Sequence, residues 1–217
     1  MSSAFQVDLF VPPLLCAGDQ MGREEFLERW RRMPDLKFAE LIDGVVYMPS
    51  PLSNLHGDHD NLIQGLLFHY AARVPGCQPL ANATWLMGPR NAPQPDASLR
   101  WVQPGGRSKI VDKLTEGVPE FVAEICYTSR AYDLGPKRAL YQSRGVLEYL
   151  AIILEGQRME WRVLENGRYR VLRPHKDGTL RSRVFAGLWL DVEAYWRVDR
   201  AALLATLERG IAEAANG

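Results

Sequence analysis

The 217-residue sequence predicts a mixed α/β fold, a mixed sheet flanked by helices, and three observations carry that expectation. Phe121–Cys126 (FVAEIC) is apolar at every position but one, the pattern of a strand buried on both faces. Asp43-Gly44 and Asn166-Gly167 each stand between apolar stretches, and such pairs favour hairpin turns because both positions tolerate positive φ. Between these strand signals lie segments whose apolar residues recur at helical spacing.

In chain order, Gly22–Met33 predicts a short amphipathic helix carrying Phe26, Leu27 and Trp30, stopped before Pro34. Phe38–Met48 reads as two strands joined at Asp43-Gly44, and Pro49-Ser50-Pro51 breaks the pattern. Asn54–Arg73 predicts a longer helix ended by Pro75-Gly76. Strands are expected at Thr84–Met87 and Ala97–Val102. Gly105–Thr115 reads as a polar loop, mobile at Gly105-Gly106-Arg107. After the Phe121–Cys126 strand come a helix over Ala131–Ser143, a buried strand over Val146–Leu154, and a hairpin of Met159–Leu164 with Tyr169–Leu172. Arg183–Leu190 gives a last strand or turn, and Val192–Ala214 a C-terminal amphipathic helix. One domain over 1–217 is expected, with its core at about 38–190 and added helices at 22–33 and 192–214.

Composition narrows the function. The hydrophobic fraction of 47% and charged fraction of 24% suit a globular core. Lys plus Arg equals Asp plus Glu at 26 each, which excludes a DNA packager, whose nonspecific affinity comes from releasing counterions. Cys16, Cys77 and Cys126 are odd in number and contain no CxxC pair, so they read as buried free thiols of a reducing cytoplasm. The apolar patch from Leu9 to Cys16 holds two prolines and lacks a preceding basic residue, unlike a signal peptide. No apolar run reaches the ~18 residues of a membrane span. A cytoplasmic protein without membrane association is expected.

Glu124 is the most informative residue. A carboxylate in so apolar a strand must be neutral, paired or bound to a cation, unless the strand surfaces there. Asp96 follows Pro95, which favours extended backbone, at the head of another strand. Two acids from adjacent strands supply oxygen ligands of the kind Mg²⁺ takes. Lys137, on the helix after the Glu124 strand, can return an ammonium to them, although Arg138 competes and a solvated lysine is the plain alternative. His56, His59 and Asp60 share one helix face and admit a second reading, a transition-metal site, against a helix start capped and charged in the ordinary way. Trp30, Trp85, Trp189 and Trp196 read as packing anchors, and Arg29, Arg31 and Arg32 as a solvated face.

Taken together, Glu40-Leu-Ile-Asp-Gly44, Ser50-Pro51, His56, Pro95-Asp96, Phe121-Val-Ala-Glu-Ile125, Asp133 with Lys137 and Tyr141, and Gly145-Val-Leu-Glu-Tyr149 resemble the Uma-two family from about Phe38 to Leu190. That family is grouped with restriction-endonuclease-like PD-(D/E)XK proteins. The resemblance implies that fold, with an N-terminal helix and β-hairpin added, and hydrolysis of DNA phosphodiesters with Mg²⁺ or Mn²⁺. It implies that Asp96 and Glu124 hold the metal with a backbone carbonyl near Ile125. Glu40 matches an extra acid, and His56 a recurrent histidine beside the metal ligands. The superfamily's lysine two positions after the second acid is Cys126 here, which makes Lys137 its replacement. The turn Tyr127-Thr-Ser-Arg130 departs from the family's usual Ser-Pro-Ser-Thr, and no substrate-binding residue is assigned. A homodimer is expected, as in nucleases that cut both strands. The alternatives are a nuclease fold kept as a catalytically weak DNA- or protein-binding module, and hydrolysis of a smaller phosphoester.

Overall fold

The computed structural model describes residues 13–48, 53–102 and 106–216. The expected break at Pro49-Ser50-Pro51, the head of the Leu9–Cys16 patch and Gly105 lie outside the described residues.

Along the chain come α1 (Arg23–Arg31), β1 (Glu40–Ile42), β2 (Val45–Tyr47), α2 (Asn54–Arg73), β3 (Cys77–Ala81), β4 (Trp85–Leu86) and β5 (Ala97–Trp101). There follow β6 (Ser108–Val111), β7 (Leu114–Gly117), β8 (Phe121–Cys126), α3 (Arg130–Tyr132), a π-helical turn Asp133–Lys137 and α4 (Arg138–Arg144). The chain continues through β9 (Glu148–Ile153), β10 (Arg158–Glu165), β11 (Arg168–Val171), β12 (Thr179–Arg181), β13 (Trp189–Asp191), α5 (Val192–Trp196) and α6 (Arg200–Asn216).

Six strands form the central sheet in the order β11-β10-β9-β8-β5-β3. It is mixed: β8 and β9 run parallel, joined across α3, the π turn and α4, and the other pairs are antiparallel. Strand alternation divides β8 between two cores. Phe121, Ala123 and Ile125 pack with Leu62, Ile63, Leu66 and Leu67 of α2 and with Leu203 and Leu207 of α6. Val122 and Cys126 face the other way, onto Tyr141 of α4, Tyr149 and Trp85. Covered on both sides, β8 needs apolar residues at successive positions, and Glu124 points from the Val122 and Cys126 side.

A third cluster joins Phe26 of α1 to Leu41, Val46, Leu86 and Ala92. It seats the β1–β2 hairpin, which turns at Asp43 (φ 50°) and Gly44 (φ 81°), along the chain leading to Asp96. Gly44 donates its N–H to the Arg90 carbonyl at 2.8 Å, and Leu41 and Ala92 exchange hydrogen bonds at 3.3 and 2.7 Å. The Ala39 N–H donates to the Gln94 amide oxygen at 3.1 Å. Placing Glu40 near Asp96 is the result.

Several expectations are corrected. Ser108–Gly117 is a hairpin, β6 with β7, and not a polar loop. β3 and β12 form where no strand was expected. The C-terminal helix is broken at 197–199, where Val198 takes φ 57° and the Asp199 side chain accepts from the Ala202 N–H. Of the three cysteines only Cys126 is buried; Cys77 is intermediate and Cys16 exposed. No described helix is long and apolar enough to cross a membrane.

Candidate active site

β5 and β8 lie side by side, their last paired residues being Ala97 and Ala123. Asp96 is one step beyond that pair, and its Oδ2 accepts the Ile125 backbone N–H at 2.7 Å. This bond fixes the aspartate beside the strand that carries Glu124. His56, in the first turn of α2, directs Nε2 to the same Oδ2 at 3.6 Å, an ion-pair contact longer than a hydrogen bond. Burial works against charge on that imidazole, but Asp96, Asp60 and Asp133 outweigh it and hold its pKa above the ordinary histidine value.

Lys137 closes the site from the opposite face. Its Nζ lies 2.7 Å from Glu124 Oε1, 3.0 Å from Glu40 Oε1 and 3.9 Å from Asp133 Oδ1. The π turn, with Gly135 and Pro136 inside it, brings the lysine round to the sheet. Such turns widen a helix by one residue and are frequent at functional sites. The Tyr141 hydroxyl donates to Glu124 Oε1 at 2.7 Å, and the Gln94 N–H to Glu40 Oε1 at 2.6 Å. Asp133 is held by the Ser129 hydroxyl at 2.5 Å, so the unusual turn after β8 anchors one acid of the cluster.

Three carboxyl groups, those of Glu124, Glu40 and Asp133, thus surround one ammonium, with Asp96 beside Glu124. Burial pushes the Glu124 carboxyl well above the usual carboxylate range, with Asp96, Asp133 and Glu40 adding to the effect against Lys137. Asp133 is pushed up to about 6, mainly by burial. Burial also disfavours the Lys137 charge, yet Glu124 and Glu40 prevail and hold its pKa well above the ordinary lysine value. A buried site with this excess of acid gains from any added cation.

The donor set is all oxygen, which suits a hard divalent ion. Hydrogen bonds fall on one oxygen of each key acid, Asp96 Oδ2 and Glu124 Oε1. Among the described residues no three His, Cys, Asp or Glu side chains are grouped to hold a metal by themselves. Mg²⁺ does not need such a cage, since one or two carboxylates with waters or substrate phosphate suffice. The transition-metal reading of the α2 start is not supported. His56 faces Asp96, His59 stacks on Tyr195 at 5.3 Å, and Asp60 accepts from the Gln64 amide at 2.6 Å.

The structure therefore brings Glu40, Glu124 and Lys137 into contact and sets Asp96, Ile125 and His56 beside them. Sequence reasoning quoted Asp133 and Tyr141 among the family motifs without giving either a role in the site, and did not single out Tyr132. Asp133, Lys137 and Tyr141 are four apart, a spacing that puts them on one helix face and could have shown Asp133 and Tyr141.

The sequence matches the family profile named Uma2, described as "Putative restriction endonuclease", over residues 23–193. The chain belongs to the Uma2 family. Its fold is similar to that of a solved protein from Anabaena variabilis ATCC 29413, titled a putative nuclease belonging to DUF820. The TM-score is 0.63 at 14% identity, over 79% of this chain and 97% of the other. At that identity the likeness speaks for the fold alone. No curated protein matches the chain.

Proposed function

We propose that this Uma2 protein is a divalent-metal-dependent endonuclease that hydrolyses DNA phosphodiesters. One observation carries the reading: a buried lysine ammonium bonded to Glu124 and Glu40 beside Asp96, at the adjoining ends of two sheet strands. Asp96 and Glu124, with the Ile125 carbonyl, would hold Mg²⁺ or Mn²⁺. When bound, the ion supplies Lewis acidity and a water of lowered pKa.

The remaining work falls to side chains. Tyr141 fixes the Glu124 carboxylate, and Glu40 fixes the Lys137 ammonium. Lys137 is placed to orient a water or to offset charge developing on a phosphoryl oxygen. His56 holds Asp96 from behind. Family membership supports nuclease chemistry; DNA, a homodimer and a cytosolic setting are part of the proposal.

A second reading, a catalytically weak module that binds DNA or protein, is favoured by the zero net charge and by Lys137 neutralising the acids in the free protein. Calorimetric titration of Mg²⁺ into wild type and Asp96→Ala separates the two. The nuclease reading expects saturable binding that Asp96→Ala weakens at least tenfold. Absence of binding to wild type favours the module.

A further inference from the structure

Every buried tyrosine hydroxyl has a cost to meet, because an unbonded donor away from water forfeits its hydration. Five tyrosines meet it inside the protein. Tyr70 donates to the Ala186 carbonyl at 2.9 Å, Tyr141 to Glu124 at 2.7 Å and Tyr149 to the Asp133 carbonyl at 3.0 Å. Tyr169 donates to the Val146 carbonyl at 3.0 Å and Tyr195 to the His59 carbonyl at 3.2 Å. The Tyr132 hydroxyl is buried and has no hydrogen-bond partner among the described residues.

Its position is not incidental. Tyr132 ends α3, immediately before the π turn that carries Asp133 and Lys137. Its ring stacks on Tyr47 at 4.2 Å, and Tyr47 pairs across the hairpin with Glu40. The Lys137 ammonium lies 5.7 Å from the ring centroid. The ring is thus fixed by the same two elements that build the acid cluster. At the neighbouring acids, Lys137 and the Gln94 N–H engage Glu40 Oε1, and Lys137 and Tyr141 engage Glu124 Oε1. Burial first, then Glu40, raise the phenol pKa, so the group remains a donor and a poor metal ligand.

We propose that Tyr132 is a substrate-binding residue whose hydroxyl donates a hydrogen bond to a non-bridging oxygen of the phosphodiester. This rests on the nuclease reading. A phosphate approaching the carboxylates of Asp96, Glu124, Glu40 and Asp133 meets repulsion, which donors on the protein must offset. Lys137 supplies one, and the Tyr132 hydroxyl supplies a second whose bonding capacity is free before substrate arrives. The phosphate brings the missing acceptor, so the hydrogen bond forms on binding.

The test is Tyr132→Phe, which keeps the ring and its stack on Tyr47. Three readouts are compared with wild type: thermal unfolding without ligand, calorimetric titration with a 5′-phosphorylated trinucleotide in Mg²⁺, and single-turnover plasmid nicking. A thermal midpoint equal to or above wild type is expected, with trinucleotide affinity and nicking each reduced roughly ten- to hundredfold, the worth of a hydrogen bond to a charged acceptor. Unchanged affinity and nicking overturn the proposal. So does a lowered midpoint with unchanged affinity, because the hydroxyl is then satisfied in the free protein, as by a buried water. Because the trinucleotide reports binding without cleavage, a wild type that binds but does not nick defeats the nuclease reading alone, provided Tyr132→Phe weakens the binding. A wild type that does neither defeats both.

Discussion

Lys137 is the residue on which the proposed chemistry turns, and two separable effects are expected of it. An ammonium is no metal ligand, and its loss leaves Glu124 and Glu40 with an unbalanced charge. Lys137→Ala should therefore bind Mg²⁺ no more weakly than wild type in calorimetry, while nicking falls by about 10²–10⁴-fold. The metal-free protein should lose about 3–5 kcal/mol of stability, the usual result of removing one partner from a buried pair. Lys137→Arg should rescue cleavage poorly, since a planar guanidinium does not fit a position built around a compact amine. Full activity in Lys137→Ala would reduce the lysine to a structural counterion.

Asp133 gives the site a pH signature. Its pKa, about 6 in the folded protein, stands above the ordinary aspartate value of about 3.9. The native state therefore binds this proton more tightly than the unfolded chain does. The resulting stability is present below about pH 4 and is lost as pH rises through about 6. Asp133→Asn is insensitive to that loss. In denaturant titrations with EDTA, its stability relative to wild type should rise by about 2 kcal/mol between pH 4.5 and pH 7. A difference independent of pH would contradict the assignment.

At the scale of elements, α6 depends on a close approach to the loop before β13. A Cβ on Gly210 would stand 2.5 Å from the Gly187 carbonyl oxygen and 2.6 Å from the Trp189 ring. Neither neighbour can retreat cheaply, because Gly187 is backbone and Arg181 stacks on Trp189 at 3.4 Å. Gly210→Ala is helix-favouring in isolation, yet it should destabilise the protein by about 1–3 kcal/mol in chemical unfolding. An increase in stability would show that α6 can shift outward freely.

Elements were legible where local chemistry matched their environment. β8 was clear because burial on both faces demands unbroken apolar residues, and Glu124 stood out for the same reason. Asp43-Gly44 gave its hairpin directly. The β6–β7 turn did not, because its positive-φ positions are filled by Asp112 (φ 48°) and Lys113 (φ 69°), without glycine. β3 is an edge strand containing Pro79, with four half-buried residues and one exposed, so neither alternation nor an apolar run marks it. The break at Val198 was hidden because a β-branched residue rarely takes positive φ, although Asp199 is an ordinary cap for α6. In the site, Asp96, Glu124 and Lys137 could be named from sequence, and Glu40 from the family resemblance, whereas Asp133 was not given a role. Tyr132 could not be named, since only the surrounding structure shows that its hydroxyl lacks a partner.

Across the whole molecule, zero net charge means that the proposed nuclease would engage DNA through local donors and a bound cation, without relying on an excess of basic residues. The Asp96, Glu124 and Lys137 cluster is proposed to hydrolyse DNA in the presence of a divalent ion. Nicking of supercoiled plasmid by wild type and Glu124→Ala, each with Mg²⁺ and with EDTA, tests it most directly. Wild type should nick with Mg²⁺ and not with EDTA, and Glu124→Ala should not nick even at high metal concentration. A wild type that never nicks, or a Glu124→Ala protein that nicks as well as wild type, would contradict it.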